Sequence, residues 1–372
     1  MNNVKTLLVT LDFPPLTGGV AEYYFNRVKK MNLDEIVVLF NKCHPERTLV
    51  SDGISSKDSI GPMVIGPRND VCVYRKNFLA PLIWPHWLPL LWHIYKITKK
   101  ENIKELWVGQ VLPVGTAVWL VSKVLRLPYK ITCHGNDLLR AKNNPRKFKL
   151  AKKILKNARI VEANTNFTKN ILMKDFNVLA EKIEIIYPEN TLHREMVDEK
   201  RVGELRQKYN LSGKKVLLTV ARLVESKGID TVIRILPKAF ESIPNLIYII
   251  VGSGIDEQRL VNIKKESLSA IAAGLTAAAT ADKQIIFVGN VLHDDLPNYY
   301  ALADAFILTP HKTGIDTESF GTVYLEAKEF GLPIIAGDVG GAREALANYE
   351  KAIFVDSENE KEIINKIIEI LK

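Results

Sequence analysis

The stretch KKVLLTVARLVESKGID, residues 214–230, decides how this chain is read. Val216–Val220 is an apolar run of strand length with no polar alternation, as expected of a strand covered on both faces. Gly228 closes the loop that follows, and helical spacing begins near Ile229. The same unit recurs outward in both directions. Downstream, LIYIIVGSG, KQIIFVGN, AFILTP and LPIIAG read as further strands, and KKESLSAIAAGLTAAATADK as a helix. Upstream, KTLLVTL, EIVVLF, KELWVGQ, YKITCHG and ARIVEAN do so, with AEYYFNRVKK, LLWHIYKITKK and GTAVWLVSKVLRL as helices between them. Strands alternating with helices predict an α/β chain of two Rossmann-like, doubly wound domains, with ligands bound in a cleft at the strand C-termini. The pattern restarts after IEIIYPENT. The predicted domains are 1–187 and 188–372, the second including the amphipathic tail EKEIINKIIEILK.

The bulk numbers agree with two domains, because 372 residues exceed one ordinary core and 47% hydrophobic content is enough for two. Cys43, Cys72 and Cys133 lie far apart without a CxxC pair, so no zinc module or disulfide framework is indicated and a reducing cytoplasm is expected. MNNVKTLLVTLDFPP reads as a first strand and not as a signal peptide. NFLAPLIWPHWLPLLWHIY, residues 77–95, has no charged residue, but Pro81, Pro85 and Pro89 would each break a spanning helix. An apolar loop entering a helix after Pro89 is expected. Trp84 and Trp87 then pack on the domain or meet a lipid interface, and both readings stay open.

Charge is uneven. Residues 1–190 hold 29 Lys and Arg against 16 Asp and Glu, while the remainder holds 22 against 26. Nine basic residues and no acidic one lie between Asp137 and Glu162. Among them Lys149, Lys152, Lys153 and Lys156 share one face of an amphipathic helix whose other face is Leu150, Ala151, Ile154, Leu155 and Ala158. The apolar face is that of a helix packed on a sheet. The one-signed charge points to an anionic partner such as a membrane surface or a phosphorylated acceptor; no aromatic platform accompanies it, so a nucleic-acid partner is not expected.

Three strand-to-helix loops carry chemistry. Gly18 and Gly19 in LDFPPLTGGVAEYYF would let backbone amides approach a phosphate at a helix start, although a plain turn reads the same way. Neither this loop nor VGSGIDEQRL is the dinucleotide fingerprint: the first lacks a third glycine, and Glu257 takes that place in the second. Arg222 opens and Lys227 nearly closes the loop quoted at the outset; two cations there suit a diphosphate, or belong to an ordinary solvated loop. In DTESFGTVYLE, residues 316–326, Glu318 and Glu326 are eight residues apart, about 12 Å along one side of a helix. Such a pair is a two-point hold on a polar ligand, or an ordinary acidic helix start. The helix N-terminus would offer the amides of Phe320, Gly321 and Thr322. His134 ends a strand in TCHGND and is either a packing histidine or a site residue. Asp294-Asp295 reads as a helix start, and no DxD metal motif is evident.

The conjunction of these loops resembles the retaining GT-B glycosyltransferases of family 4 over essentially the whole chain, in the PP-x-x-GG loop, TCHGND, ARLVESKG, VGSG, FVGN and TESFGTVYLEAKEFGLPIIAGDVGGAREAL. The resemblance implies two domains facing across a cleft. It implies that Arg222 and Lys227 hold the pyrophosphate of a nucleotide-diphosphate sugar, Glu326 its ribose, Glu318 the transferred sugar, and Phe320 to Thr322 add backbone contacts, with His134 beside that sugar. Transfer with retention, by same-face attack, follows from it. Cations, the Gly18-Gly19 amides and helix dipoles would stabilise the leaving diphosphate without a metal or other cofactor. The acceptor is expected to be lipid-linked or anionic, reached at the inner face of a membrane. A nucleotide-sugar epimerase and a non-catalytic sugar-nucleotide or lipid-binding module are the alternatives on this fold. IIYPENTL departs from the family's Pro-Asn-Gly, because Glu189 stands there, which removes the ground for a borrowed role for Asn190.

Overall fold

The computed structural model describes residues 4–14, 18–41, 61–64, 70–78, 85–272, 282–311, 314 and 316–372. Trp84 and Cys43 lie outside the described residues, as do residues 273–281 of the Ala-rich helix. The chain forms two compact units, Met1–Pro188 and Glu189–Lys372.

The first unit is built on an eight-stranded sheet. Its strands are β1 (Thr6–Thr10), β2 (Ile36–Asn41), β3 (Gly61–Val64), β4 (Asp70–Lys76), β5 (Glu105–Val108), β6 (Tyr129–Cys133), β7 (Ile160–Ala163) and β8 (Ile183–Ile185). Their order is β3-β4-β2-β1-β5-β6-β7-β8. All neighbours pair in parallel except the edge strand β3, which runs antiparallel to β4. β1 and β2 are buried along nearly their whole length, which is why their residues are continuously apolar and not alternating. Helices Leu88–Lys100, Val114–Leu125 and Pro145–Asn157 pack in succession, the second against each of the others. Ala151, Ile154 and Leu155 of the last point inward, as its apolar stripe requires. The helix after the proline-rich segment begins at Leu88, with Pro89 in its first turn where no amide partner is needed. None of the helices is long and apolar enough to cross a membrane, among the described residues.

The second unit has six parallel strands, β9 (Lys215–Val220), β10 (Leu246–Val251), β11 (Ile285–Gly289), β12 (Ala305–Leu308), β13 (Ile334–Gly337) and β14 (Ala352–Val355). The order β11-β10-β9-β12-β13-β14 reverses direction between β9 and β12. Loops leaving the C-terminal ends of those two strands diverge to opposite faces, and the crevice between them is where such sheets take ligands. Helices Ile229–Ser242 and Glu360–Leu371 pack on each other over one face, burying Ile233, Leu236, Ile363, Ile367 and Leu371. The doubly wound α/β architecture expected from the alternating runs is therefore present in both units.

Candidate functional site

In the second unit the loop after β9 carries Arg222 and Lys227, and the loop after β12 carries Glu318. Lys227 Nζ meets Glu318 Oε2 in an ion pair whose side chains are only 19% and 10% exposed. The two residues are 91 positions apart, so the reversal of strand order, not sequence spacing, brings them together. Two glycines make the approach possible. A Cβ on Gly228 (φ +68°) would lie 1.9 Å from the Thr309 carbonyl oxygen, and one on Gly340 (φ +60°) would lie 1.6 Å from that of Glu318. The Gly341 amide donates to the same Glu318 carbonyl at 3.3 Å. Backbone thus touches backbone on both sides of the pair. Arg222 is exposed, and its guanidinium has no hydrogen-bond or ion-pair partner among the described residues.

The helix after Glu318 begins at Thr322 and ends at Glu329, with Gly321 in left-handed conformation before it and no side-chain cap. Its N-terminal turn therefore lacks a capping side chain on its first amides. The picture of both acids on one helical side needs correction, however: Glu318 lies in the loop, and only Glu326 is helical. Glu326 is buried and accepts a hydrogen bond of 2.6 Å from Tyr300 Oη. Burial, followed by the neighbouring carboxylate, pushes the Tyr300 phenol well above its ordinary value, so it keeps the proton it donates. Phe320 is buried in the adjoining core, and the Ser319 hydroxyl beside it is buried without a partner among the described residues.

The first unit assembles a second group at the ends of β1, β5 and β6. Gly18 (φ +132°) precedes helix Gly19–Lys29, again without a side-chain cap. Gln110, after β5, accepts from the Leu11 amide at 2.9 Å and donates to Thr10 Oγ1 and Asp12 Oδ2 at 3.0 and 3.1 Å, fixing the loop after β1. His134 is half-buried. Its Nε2 lies 2.8 Å from Tyr24 Oη, and its backbone amide donates to Asp137 Oδ1 at 3.0 Å. Burial pushes the imidazole below its ordinary value; Asp137, Asp12 and Glu162 pull the other way, and Arg27 adds to the lowering.

Over residues 202–372 the chain matches the model for glycosyl transferases group 1, and over residues 46–188 that for glycosyltransferase family 4. The chain belongs to the GT-B glycosyltransferases of family 4. Among its relatives is the GDP-mannose-dependent alpha-(1-6)-phosphatidylinositol monomannoside mannosyltransferase of Mycobacterium tuberculosis, 24% identical over 99% of this chain and 89% of the relative. The Mycolicibacterium smegmatis protein of the same name is 25% identical over 98% and 88%. Among solved structures, Anabaena HepE in complex with UDP aligns with a TM-score of 0.72 at 19% identity, covering 98% of this chain and 90% of that one.

Beneath His134 the glycosyltransferase holds a charged network that sequence reasoning missed. Glu162, in the middle of β7, is bound by Arg27 through Nη1 and Nη2 at 2.5 and 3.0 Å, by Thr132 Oγ1 at 2.5 Å and by Lys130 Nζ at 3.2 Å. Arg27 and Lys130 also lie over the Trp107 ring, 4.4 and 4.1 Å from its centroid. Burial alone would raise the Glu162 carboxyl; Arg27 with Lys130 overrides it and holds the group at about 2. The signal was there to be read, since an acid inside an otherwise apolar parallel strand must be paired. Of the residues assigned to a membrane or acceptor side, Lys149, Lys153 and Lys156 are exposed, while Lys152 is half-buried with its ammonium over Phe148. Trp87 packs against the core of the first unit, and among the described residues the exposed indole is instead that of Trp92, at 57%. Asp295 pairs with Arg201 and Asn298 at the start of helix Leu296–Leu302, a structural role.

Proposed function

We propose that this glycosyltransferase moves a hexose-type sugar, with retention and without a metal, from a nucleotide-diphosphate sugar to a lipid-linked or otherwise anionic acceptor. The observation that carries the reading is the Lys227–Glu318 pair beside unpaired Arg222 at the point where the second sheet reverses its strand order. An ammonium and a carboxylate with little water around them neutralise each other while the site holds no donor. On donor binding each takes a new partner: Lys227 and Arg222 the diphosphate, whose negative charge grows as the glycosidic bond breaks, and Glu318 the hydroxyls of the departing sugar. Glu326, which accepts the Tyr300 hydrogen bond, takes the hydroxyls of a ribose. The amides of Phe320, Gly321 and Thr322 add fixed dipoles within the same unit. Fixed cations and dipoles in these positions supply the leaving-group stabilisation that a metal would otherwise give.

The relatives' names support the substrate class, being those of GDP-mannose-dependent mannosyltransferases of phosphatidylinositol monomannoside, and solved structures of this fold hold UDP and UDP-glucose. The acceptor side of the reading is supported by charge. Helices Leu88–Lys100, Val114–Leu125 and Pro145–Asn157 contain no Asp or Glu, and Lys149, Lys153 and Lys156 face solvent. We take this face to sit peripherally on an anionic, cytoplasmic membrane surface. The test is a panel of UDP, GDP and ADP sugars, scored first for protection against thermal unfolding and then for transfer to phosphoinositide acceptors in the presence of EDTA. Protection by one donor, followed by an α-linked product from an α-linked donor, is expected. No protection by any donor would overturn the reading. Interconversion of the free nucleotide sugar would make it an epimerase, and binding without turnover a carrier.

A further inference from the structure

Tyr24, on helix Gly19–Lys29, is fully buried, and its hydroxyl makes two contacts: 2.5 Å to the Gly109 carbonyl oxygen and 2.8 Å to His134 Nε2. A carbonyl can only accept, and a phenol has one hydrogen to give. The Tyr24 hydrogen is therefore committed to Gly109, and the hydrogen between Tyr24 and His134 must come from the imidazole. The geometry points to Tyr24 as a positioning residue that locks His134 in its Nε2–H tautomer and leaves Nδ1 as a hydrogen-bond acceptor.

Each part of the lock is itself fixed. Gly109 follows β5, and its amide donates to the Val9 carbonyl at 2.8 Å, so the acceptor for Tyr24 is tied to the sheet. The His134 ring stands edge-on to Tyr23 and Tyr24, with centroids 5.3 and 5.4 Å away and planes at 88°, packing that holds the ring plane with Nε2 at the Tyr24 hydroxyl. Asp137, Asp12 and Glu162 favour the doubly protonated ring, while burial and Arg27 oppose it, burial most strongly, so the Nδ1 lone pair persists at neutral pH. Burial likewise keeps the Tyr24 phenol protonated. Nδ1 has no hydrogen-bond partner among the described residues. It is suited to accept a hydrogen bond from a substrate hydroxyl, and this last clause alone rests on the function proposed above.

The tautomer is read directly from the nitrogen resonances of protein labelled with 15N-histidine, His134 being assigned with His134→Gln. At pH 7.5 the wild-type chain is expected to show a lone-pair nitrogen at Nδ1 and a protonated one at Nε2. In Tyr24→Phe the Nε2–H loses its acceptor and with it the preference for one tautomer, so the Nδ1 and Nε2 resonances should move toward each other. Tyr23→Phe keeps the edge contact, because its hydroxyl serves Arg27, and should leave the His134 pattern unchanged. A protonated Nδ1 in the wild-type chain overturns the inference without recourse to any variant, as does a Tyr24→Phe spectrum identical to wild type. In transfer assays Tyr24→Phe should lower kcat about tenfold while KM for the donor stays within about threefold, the pattern of a mis-set hydrogen bond in a correctly bound complex. The inferred tautomer in a chain that transfers no sugar would remove the proposed function and leave the lock standing.

Discussion

Replacing Arg27 with Met tests whether the charged network under His134 holds the first unit together. The Glu162 side chain is 2% exposed, and its carboxyl is depressed from the ordinary 4.5 to about 2, a shift equivalent to roughly 3 kcal/mol of folding free energy. Arg27 supplies two of the contacts, and Lys130 and Thr132 survive its loss, so the expected cost is about 2–3 kcal/mol at pH 7, below the full penalty for an orphaned buried charge. Met retains the aliphatic stem, so the loss is that of the guanidinium: its charge, its hydrogen bonds and its contact with the Trp107 ring. All five tryptophans lie between residues 84 and 119, so indole fluorescence reports the unfolding of the first unit alone. With a urea dependence of about 2 kcal/mol per M, the midpoint should fall by about 1 M. The sign with pH follows from a folded-state value below the unfolded one: the Glu162 contribution is complete above pH 4.5 and fades as pH falls from there toward 2. The gap between wild type and Arg27→Met should therefore be widest at pH 7 and narrow by pH 3. A gap under about 1 kcal/mol at pH 7, or one that does not change with pH, would refute this account of the network.

Glu318→Gln should lower kcat/KM for sugar transfer by at least about a hundredfold, roughly 3 kcal/mol, while the fluorescence-detected unfolding of the first unit stays where it was. Gly228→Ala places a methyl 1.9 Å from the Thr309 oxygen at φ +68°, so circular dichroism should show the second, tryptophan-free unit destabilised by more than about 2 kcal/mol with the fluorescence transition unmoved. Lys149→Gln, Lys153→Gln and Lys156→Gln combined should weaken cosedimentation with vesicles containing anionic lipid by up to about a hundredfold, at about 1 kcal/mol per lysine, and leave neutral vesicles as they were. Equal binding of wild-type chain to anionic and neutral vesicles would dismiss the peripheral membrane reading.

What could be read in the sequence was local. Continuous apolar runs such as Val216–Val220 mark a strand wherever they fall, because both faces of a parallel sheet are covered, and the doubly wound class follows from their alternation with helices. The strands β4 and β14 escape a reading by apolar runs: DVCVYRK mixes charge into a strand next to the edge, and AIFV is four residues, three of them half-buried. Tertiary pairing leaves no such trace. Arg27 and Glu162 are 135 positions apart and Lys227 and Glu318 are 91 apart, and only the strand order decides that they meet. Glu318 and Glu326 mislead in the opposite sense, since a spacing of eight suggests a shared helix while Gly321, left-handed, starts the helix between them. Trp87 and Trp92 show the limit for surface residues, because the phase of helix Leu88–Lys100 against its neighbours, and not composition, chooses which indole is exposed.

The helix Glu360–Leu371 lies over Ile229–Ser242, and Ile363, Ile367 and Leu371 bury fully or nearly so beside Val232, Ile233 and Leu236. The piece that seals this core is made more than a hundred residues after the helix it packs on. During synthesis the first unit can collapse as soon as it clears the ribosome, whereas the second keeps a greasy flank open to water until its closing helix emerges. A nascent chain stalled short of residue 360 would thus be a client for chaperones on that flank, with its amino-terminal half already folded.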